Sequence, residues 1–462
     1  MKSLKMFQTM AGLLLWVGVA GVHAQSINLS VLHQFTAAQN DGASPYSEVI
    51  LGNDGVLYGT TWAGGTNAGG TVFRMNRDGG EFAILHHFGS APDGSSPFDG
   101  LTQGADGFLY GTTYFGGTNS NGTIFKLSTN GSFYSVIHQF TNAPEGANPY
   151  SGLIQGQDGL LYGTTHGGAM GNGTVFKIDT NGNNYAQLHS FPINTDAAQP
   201  IGRLVQTANG MLYGTTYGGG SNFIGAVFQI DTNGLNYSII HSFDGSSDGF
   251  SPECGLLAGQ DGWLYGTTVN GGNSNFGYGT VFKLNPSGAG FTVLRTFTNS
   301  PDGANCYARV AQGNDGYLYG ATSDGGTANN GAIFRLSTNG ANYSVLYRFN
   351  GNGDGQHPRA GLVTTGNGVL YGTTLMGGAN PAGFGTLYRL ALVPTLSLSF
   401  SNQPGPVLTF TGAANQSCQV QVSSNLIHWT FLTNVTLTNG SAQILDANAA
   451  GAPTRFYRAV IP

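Results

Sequence analysis

Between residues 27 and 391 the apolar positions come in short runs, each too brief for a helix and separated by turn signals, most of which contain glycine. The segment Leu-Tyr-Gly marks them. Its tyrosines are Tyr58, Tyr110, Tyr162, Tyr213, Tyr265, Tyr319 and Tyr371, at intervals of 52, 52, 51, 52, 54 and 52 residues. A fixed period of that size is the signature of a propeller or a solenoid. One period, residues 149–191, predicts four strands: Pro149 to Gln155, Leu160 to Thr164, Thr174 to Ile178 and Tyr185 to Phe191. Asp-Gly or Asn-Gly separates the first two strands in every copy, from Asp54-Gly55 to Asn367-Gly368. Asn-Gly recurs between the third and fourth, as at Asn130-Gly131, Asn181-Gly182, Asn233-Gly234 and Asn339-Gly340. Such pairs accept the positive φ angles that tight hairpins require.

Seven copies of four antiparallel strands predict an all-β fold, a seven-bladed β-propeller over residues 27–391, with a linear β-solenoid as the alternative. The ends of the repeat bear on that choice. Leu29 to Phe35 matches a fourth strand (compare Val136 to Phe140), whereas Gly385 to Leu390 matches a third. The N-terminal strand is therefore expected to complete the last blade, leaving no open terminal edge. From about Pro394 the period stops. Residues 395–462 alternate as strands at Val407 to Phe410, Cys418 to Val422 and Trp429 to Leu432, and predict an appended small β-sandwich.

Composition agrees with this reading and narrows it. Of 462 residues, 76 are Gly, a density that excludes helical bundles because each helical Gly costs about 1 kcal/mol. Charged residues make up only 8%, yet 40% are hydrophobic, with 28 Phe and 21 Tyr, so a core is expected rather than disorder. A net charge of −6 argues against a nucleic-acid partner. Residues 1–24 carry Lys2 and Lys5, an apolar run from Met10 to Val22 and the small-residue ending Val22, His23, Ala24. That is the pattern of a secretory signal peptide cut after Ala24, the run being shorter than the ~20 residues of a membrane anchor. No second apolar span follows, so the expected location is exported: extracellular, cell surface or periplasm. Only three cysteines are present, and a bridge between Cys254 and Cys306 is left open.

The Asp-Gly-x-Leu-Tyr-Gly-Thr-Thr and Gly-Thr-Val-Phe-Lys segments resemble the GloVer tandem-repeat family of exported bacterial proteins over roughly residues 27–391. The last residues resemble the small sandwich ending in Phe-Tyr-Arg that such proteins carry. The resemblance implies export and a repeat fold, and it carries no activity and no catalytic residue to this chain.

Candidate chemistry falls into four sets. An acid precedes each first strand: Asp41, Asp93, Glu145, Asp196, Asp248, Asp302 and Asp354. One carboxylate per unit is too few for Ca²⁺, so a loop-capping role is expected. A His recurs in the fourth strand at His33, His86, His138, His189 and His241, with Arg295 and Tyr347 in the last copies. Those positions lie around the rim and cannot converge on a metal, so packing and hydrogen bonding are expected. No metal and no cofactor is predicted.

The other two sets break the symmetry. After the second strand stand Trp62, Tyr114, His166 and Tyr217, followed in later copies by Val269, Ser323 and Leu375. The four rings either stack on a ligand or only shield the loops. Near the start of the innermost strand stand Glu48, Asp99, Arg203, Glu253, Arg309 and Arg359, which either bind a polar ligand or pair across the channel. The leading expectation is an exported, non-catalytic propeller that binds a glycan or a surface protein through one face. The alternatives are a polysaccharide lyase or hydrolase at the channel mouth, and a purely structural surface or adhesion component. The sequence contains no Gly-x-Ser-x-Gly elbow, His-Glu-x-x-His or phosphate loop.

Overall fold

A computed structural model describes residues 26–461 apart from 90, 142–143, 169–170, 193–195, 274–276, 380–382, 401–404, 414 and 450–454. The expected leader over residues 1–24 lies outside them. The protein is all-β, with two single-turn 3₁₀ segments, Thr438–Gly440 and Ala447–Ala449, as the only helical pieces among the described residues.

Each repeat forms an antiparallel sheet whose strands lie in chain order. In the first unit these are Ile50–Leu51, Leu57–Thr61, Thr71–Met75 and Ala83–His87. Six units are built this way, the fourth with an extra strand at Ala197–Pro200. The seventh takes Val363–Thr364, Val369–Thr374 and Thr386–Val393 from its own repeat, and its fourth strand is Ser26–Gln34. Leu29 pairs with Leu390 and Ser30 with Arg389, as the offset of the chain ends predicts.

The local reasons are legible in each unit. Asp54 accepts the Val56 N–H at 3.1 Å and the Tyr58 hydroxyl at 2.6 Å, so one carboxylate shapes the hairpin and satisfies a buried phenol. Gly55 supplies the turn's positive φ of 79°. Gly59 is required by packing, since a Cβ there would lie 2.5 Å from the Phe73 ring. All five residues of Leu57–Thr61 are buried, because each sheet is covered on both faces. Leu57 faces the preceding unit and Tyr58 the next.

Seven apolar clusters lie between successive units. One holds Tyr58, Val72 and Phe88 of the first against Leu101, Leu109, Phe125 and Leu127 of the second. Another packs Tyr371 and Phe35 of the seventh against Val49, Leu57 and Phe73 of the first. Thr112 Oγ1 donates to Ser151 O at 2.9 Å, and Thr373 Oγ1 to Ser47 O at 3.1 Å, so the seventh unit meets the first by the same hydrogen bond that joins the second to the third.

The innermost strands are shorter than the sequence suggests. Pro149 to Gln155 was expected to be a strand, whereas only Ile154–Gln155 is laddered. Pro149 has no N–H to give, and the Ser151 carbonyl is taken by the threonine of the neighbouring sheet. The segments before these strands are thereby free to converge.

Residues beyond 394 form two three-stranded sheets, Thr395–Phe400, Pro406–Thr411 and Ser441–Leu445 in one, Gln416–Ser423, Thr430–Leu437 and Phe456–Val460 in the other. Both contribute to one cluster containing Leu408, Phe410, Cys418, Val420, Val435 and Leu437. The Gln416 amide donates to the Leu392 carbonyl, tying these sheets to the seventh unit.

Candidate functional site

The seven converging segments line an open cavity of about 90 Å³. Counting from each repeat's tyrosine, the thirteenth residue back is Pro in six units and Cys306 in the sixth. The next residue points into the cavity: Tyr46, Phe98, Tyr150, Ile201, Glu253, Tyr307 and Arg359. Two residues further along stand Glu48, Arg203 and Arg309, with Gly in the other four units. Five of the six charged candidates therefore fall at two positions, or levels, of the repeat, and Asp99 stands between them and joins the second group through Arg203.

The deeper level is a closed ion-pair network. Arg309 holds Glu48 with two hydrogen bonds, Nε to Oε2 at 2.9 Å and Nη2 to Oε1 at 2.7 Å. Arg203 reaches Glu48 at 3.4 Å and Asp99 at 3.2 Å, and its Nη2 donates to Gly100 O at 2.7 Å. Asp99 also accepts the Gly152 N–H at 2.6 Å and the Gly100 N–H at 2.7 Å. Burial pushes its carboxyl up, but Arg203 and these two N–H groups hold it below the usual carboxylate range. Two glycines make the room: a Cβ on Gly361 would fall 2.4 Å from Glu48, and one on Gly152 would fall 2.4 Å from Arg203. Two cations and two anions cancel, forming a neutral floor.

The upper level is not paired in this way. Arg359 lies 4.3 Å from the centre of the Tyr307 ring and 5.5 Å from that of Tyr46, whose hydroxyl its Nη1 contacts. Its Nε is buried and has no hydrogen-bond partner among the described residues. Glu253 has no hydrogen-bond or ion-pair partner among the described residues. Burial pushes its carboxyl up to about 7, the nearby Arg359 charge offsetting only part of that. A titratable group so displaced, in a cleft beside an unsatisfied guanidinium, marks a functional candidate.

Of the aromatic candidates, Trp62, Tyr114 and His166 do not line this cavity themselves but touch rings that do. Trp62, 37% exposed, lies 6.3 Å from Phe98, which lies 4.0 Å from Tyr150, 4.7 Å from Tyr46 and 5.8 Å from Tyr114. His166 follows at 6.2 Å from Tyr150 and 6.4 Å from Tyr114. Burial depresses the His166 pKa, so its ring presents a neutral face. Tyr217 is 43% exposed and stands outside this wall, with no ring contact among the described residues. The wall's inner members, Tyr46, Phe98 and Tyr150, escaped the sequence reading, although they occupy the same repeat position as Glu253 and Arg359. On the other arc, Val269, Ser323 and Leu375 are buried rather than exposed at loop tips. They pack instead of presenting a second face.

The repeated acids and histidines meet each other at the outer edge. Asp93 receives His86 Nε2 at 3.0 Å, the Gly89 N–H at 3.0 Å and the Tyr134 hydroxyl, and the His86 and Tyr134 rings stack at 3.6 Å. The same clasp unites His189, Asp196 and Tyr237. In the last copies Arg295 reaches Asp302 at 2.7 Å and Tyr347 reaches Asp354 at 2.9 Å. Among the described residues no three His, Cys, Asp or Glu side chains gather to hold a metal. Cys254 and Cys306 are both buried and unbridged.

Solved structures are similar to this chain at low identity. An oligogalacturonate lyase in complex with manganese aligns with a TM-score of 0.50 at 10% identity, over 80% of this chain and 98% of its own. A gluconolactonase from Xanthomonas campestris aligns at 0.40 and 13%, over 79% and 89%. TolB from Acinetobacter baumannii aligns at 0.39 and 14%, over 65% and 63%. These likenesses concern a propeller-like fold alone. No curated protein matches the sequence. The profile of the Gloeobacter/Verrucomicrobia repeat matches residues 20–225, 104–312 and 273–418. It runs through all seven Leu-Tyr-Gly units, and the chain belongs to the Gloeobacter/Verrucomicrobia repeat family.

Proposed function

We propose that this protein is an exported seven-bladed β-propeller with a small C-terminal β-sandwich, and that it binds a glycan, without converting it, in the cavity where the innermost segments meet. Seven sheets with seven interfaces support the ring, and the pattern of residues 1–24 supports export. The observation that carries the binding reading is the set of rings Tyr46, Phe98 and Tyr150 lining the cavity together with Glu253 and Arg359, extended outward by ring contacts to Trp62, Tyr114 and His166. A sugar has an apolar ring face and polar edges, and such a cavity offers both. A surface protein, the other partner considered, would be met by a broad apolar area rather than a concave one. A glycan array on the mature protein, with and without EDTA, tests this. Replacing Trp62 and Tyr114 together with Ala should weaken a retained glycan by ~2 kcal/mol from two lost ring contacts. The matching control is Met376→Ala, an exposed position on the other arc, which should leave binding intact. An array without any retained glycan overturns the proposal.

A second reading rests on Glu253, whose carboxyl near neutrality suits general acid or base work at the channel mouth, as in a lyase or hydrolase. Turnover of a retained glycan, abolished by Glu253→Gln, would select it.

A further inference from the structure

Resting on the glycan reading, we propose that the sugar is acidic, a uronate whose carboxylate docks on Arg359 while its ring lies on the Phe98–Tyr150 side, and that Glu253 takes part in its protonated form. The argument starts from charge. The floor beneath the cavity is neutral, since Glu48 and Asp99 are matched by Arg203 and Arg309. Behind Arg359, His357 and Asp324 pair with each other at 3.1 Å. The remaining titratable groups lining the pocket are Tyr46, Tyr150, Tyr307 and Cys254, and burial raises the pKa of the last three, which keeps their neutral forms. Arg359 is then the one charge in the cavity without an ion-pair partner among the described residues, provided Glu253 keeps its proton.

The local geometry supplies the recognition. Tyr307 and Tyr46 hold the guanidinium, through their rings and the Tyr46 hydroxyl on Nη1, so much of its side-chain entropy is already lost. A guanidinium binds a carboxylate through paired N–H groups, and Arg359 has one of these, Nε, buried and unused. Glu253 beside it would repel a carboxylate when ionised and donate a hydrogen bond to it when protonated. Burial already favours the protonated form up to about 7, and a second anion alongside raises that further. Binding therefore takes up a proton as pH rises through neutrality. This is an unusual arrangement for a protein with a net charge of −6: a cationic cavity in an acidic chain.

The test uses trigalacturonate and its methyl ester, which share a skeleton and differ in charge, with calorimetric titration of the mature protein at about pH 5.5 and about pH 8.5. The acid should bind more tightly than the ester at the lower pH and lose about tenfold or more at the higher one, with proton uptake visible as a buffer-dependent heat. Glu253→Gln should flatten that pH dependence. Arg359→Lys, which retains charge but not the paired donors, should weaken the acid about tenfold and leave the ester within about twofold. Equal affinity for acid and ester at both pH values overturns this proposal and leaves glycan binding standing. Failure of both to bind, with the array also blank, removes the glycan reading itself. Because the wild-type pH profile needs no variant, a substitution that unfolds the protein leaves the decision intact.

Discussion

At the outer edge every repeated carboxylate is engaged: Asp93 by His86 and Tyr134, Asp196 by His189 and Tyr237, Asp302 by Arg295. At the inner cavity two ionisable groups that occur once each, Glu253 and Arg359, are left without an ion-pair partner among the described residues. The clasps recur because every sheet must be docked on the next, with histidine on the acid in five units and Arg295 or Tyr347 in its place in the last two. A contact present in each copy cannot create a unique place among the units. Recognition is left to positions where the copies differ, and there the polar groups are left open. Between these extremes lies the floor of Glu48, Asp99, Arg203 and Arg309, which differs from copy to copy yet is fully paired. Asymmetry is thus necessary for a site and not sufficient for one.

The largest effect expected is loss of the ring itself. Removing residues 26–36 strips the seventh sheet of its fourth strand and exposes Thr386–Val393 as an edge. Calorimetry should then show no cooperative transition for the repeats. An unchanged melt would mean that the closing strand contributes nothing to the interfaces.

Next in size is the floor. Glu48→Ala leaves Arg309 and Arg203 short of their shared anion, and breaking a buried pair from one side costs about 3–5 kcal/mol. Urea unfolding measures this, and a loss under about 1 kcal/mol would place the floor among solvent-screened pairs.

The upper level should respond in the opposite direction. The Glu253 carboxyl is raised from 4.5 to about 7 in the folded protein, so the fold is penalised as the unfolded chain ionises between those values. Glu253→Gln should therefore stabilise by about 1–3 kcal/mol near pH 8 and change little near pH 4. A destabilised variant at pH 8 would show that the ionised carboxylate has a partner.

The clasps should be individually weaker. Asp93→Asn keeps the shape and loses the charge-assisted bonds, for about 1–2 kcal/mol. For Asp41, Asp93 and Asp196, burial raises the pKa, but hydrogen bonds from histidine, hydroxyl and backbone N–H groups bring it below 3.8. Their contribution is present above the unfolded value and fades as pH falls through the folded one. Melting temperature should hold down to about pH 5 and drop below about pH 4 in the wild type, and less so with several clasps removed. The smallest effect is expected from EDTA, which should leave the melt unchanged, since neither the acids nor the histidines gather into a coordination shell. A fall of many degrees would reassign the clasps to metal.

The repeat number, the hairpins and the closing strand were legible in the chain because each is specified over a few residues. Asp54-Gly55 makes its own turn, Tyr58 finds its partner four residues away, and the offset between Leu29 and Gly385 already implies how the ends pair. The clasps were half legible: both acids and histidines stood out, but not that they bind each other, because a strand and the loop that follows it meet only once a neighbouring sheet supplies the stacked ring. The cavity was the least visible. Arg309 and Glu48 are 261 residues apart, and Phe98 and Tyr150 belong to different sheets. Sequence period fixes what each unit is, whereas the angle at which units pack decides which side chains meet where the innermost segments converge. That angle is set by the sum of seven apolar interfaces, and no single repeat contains it.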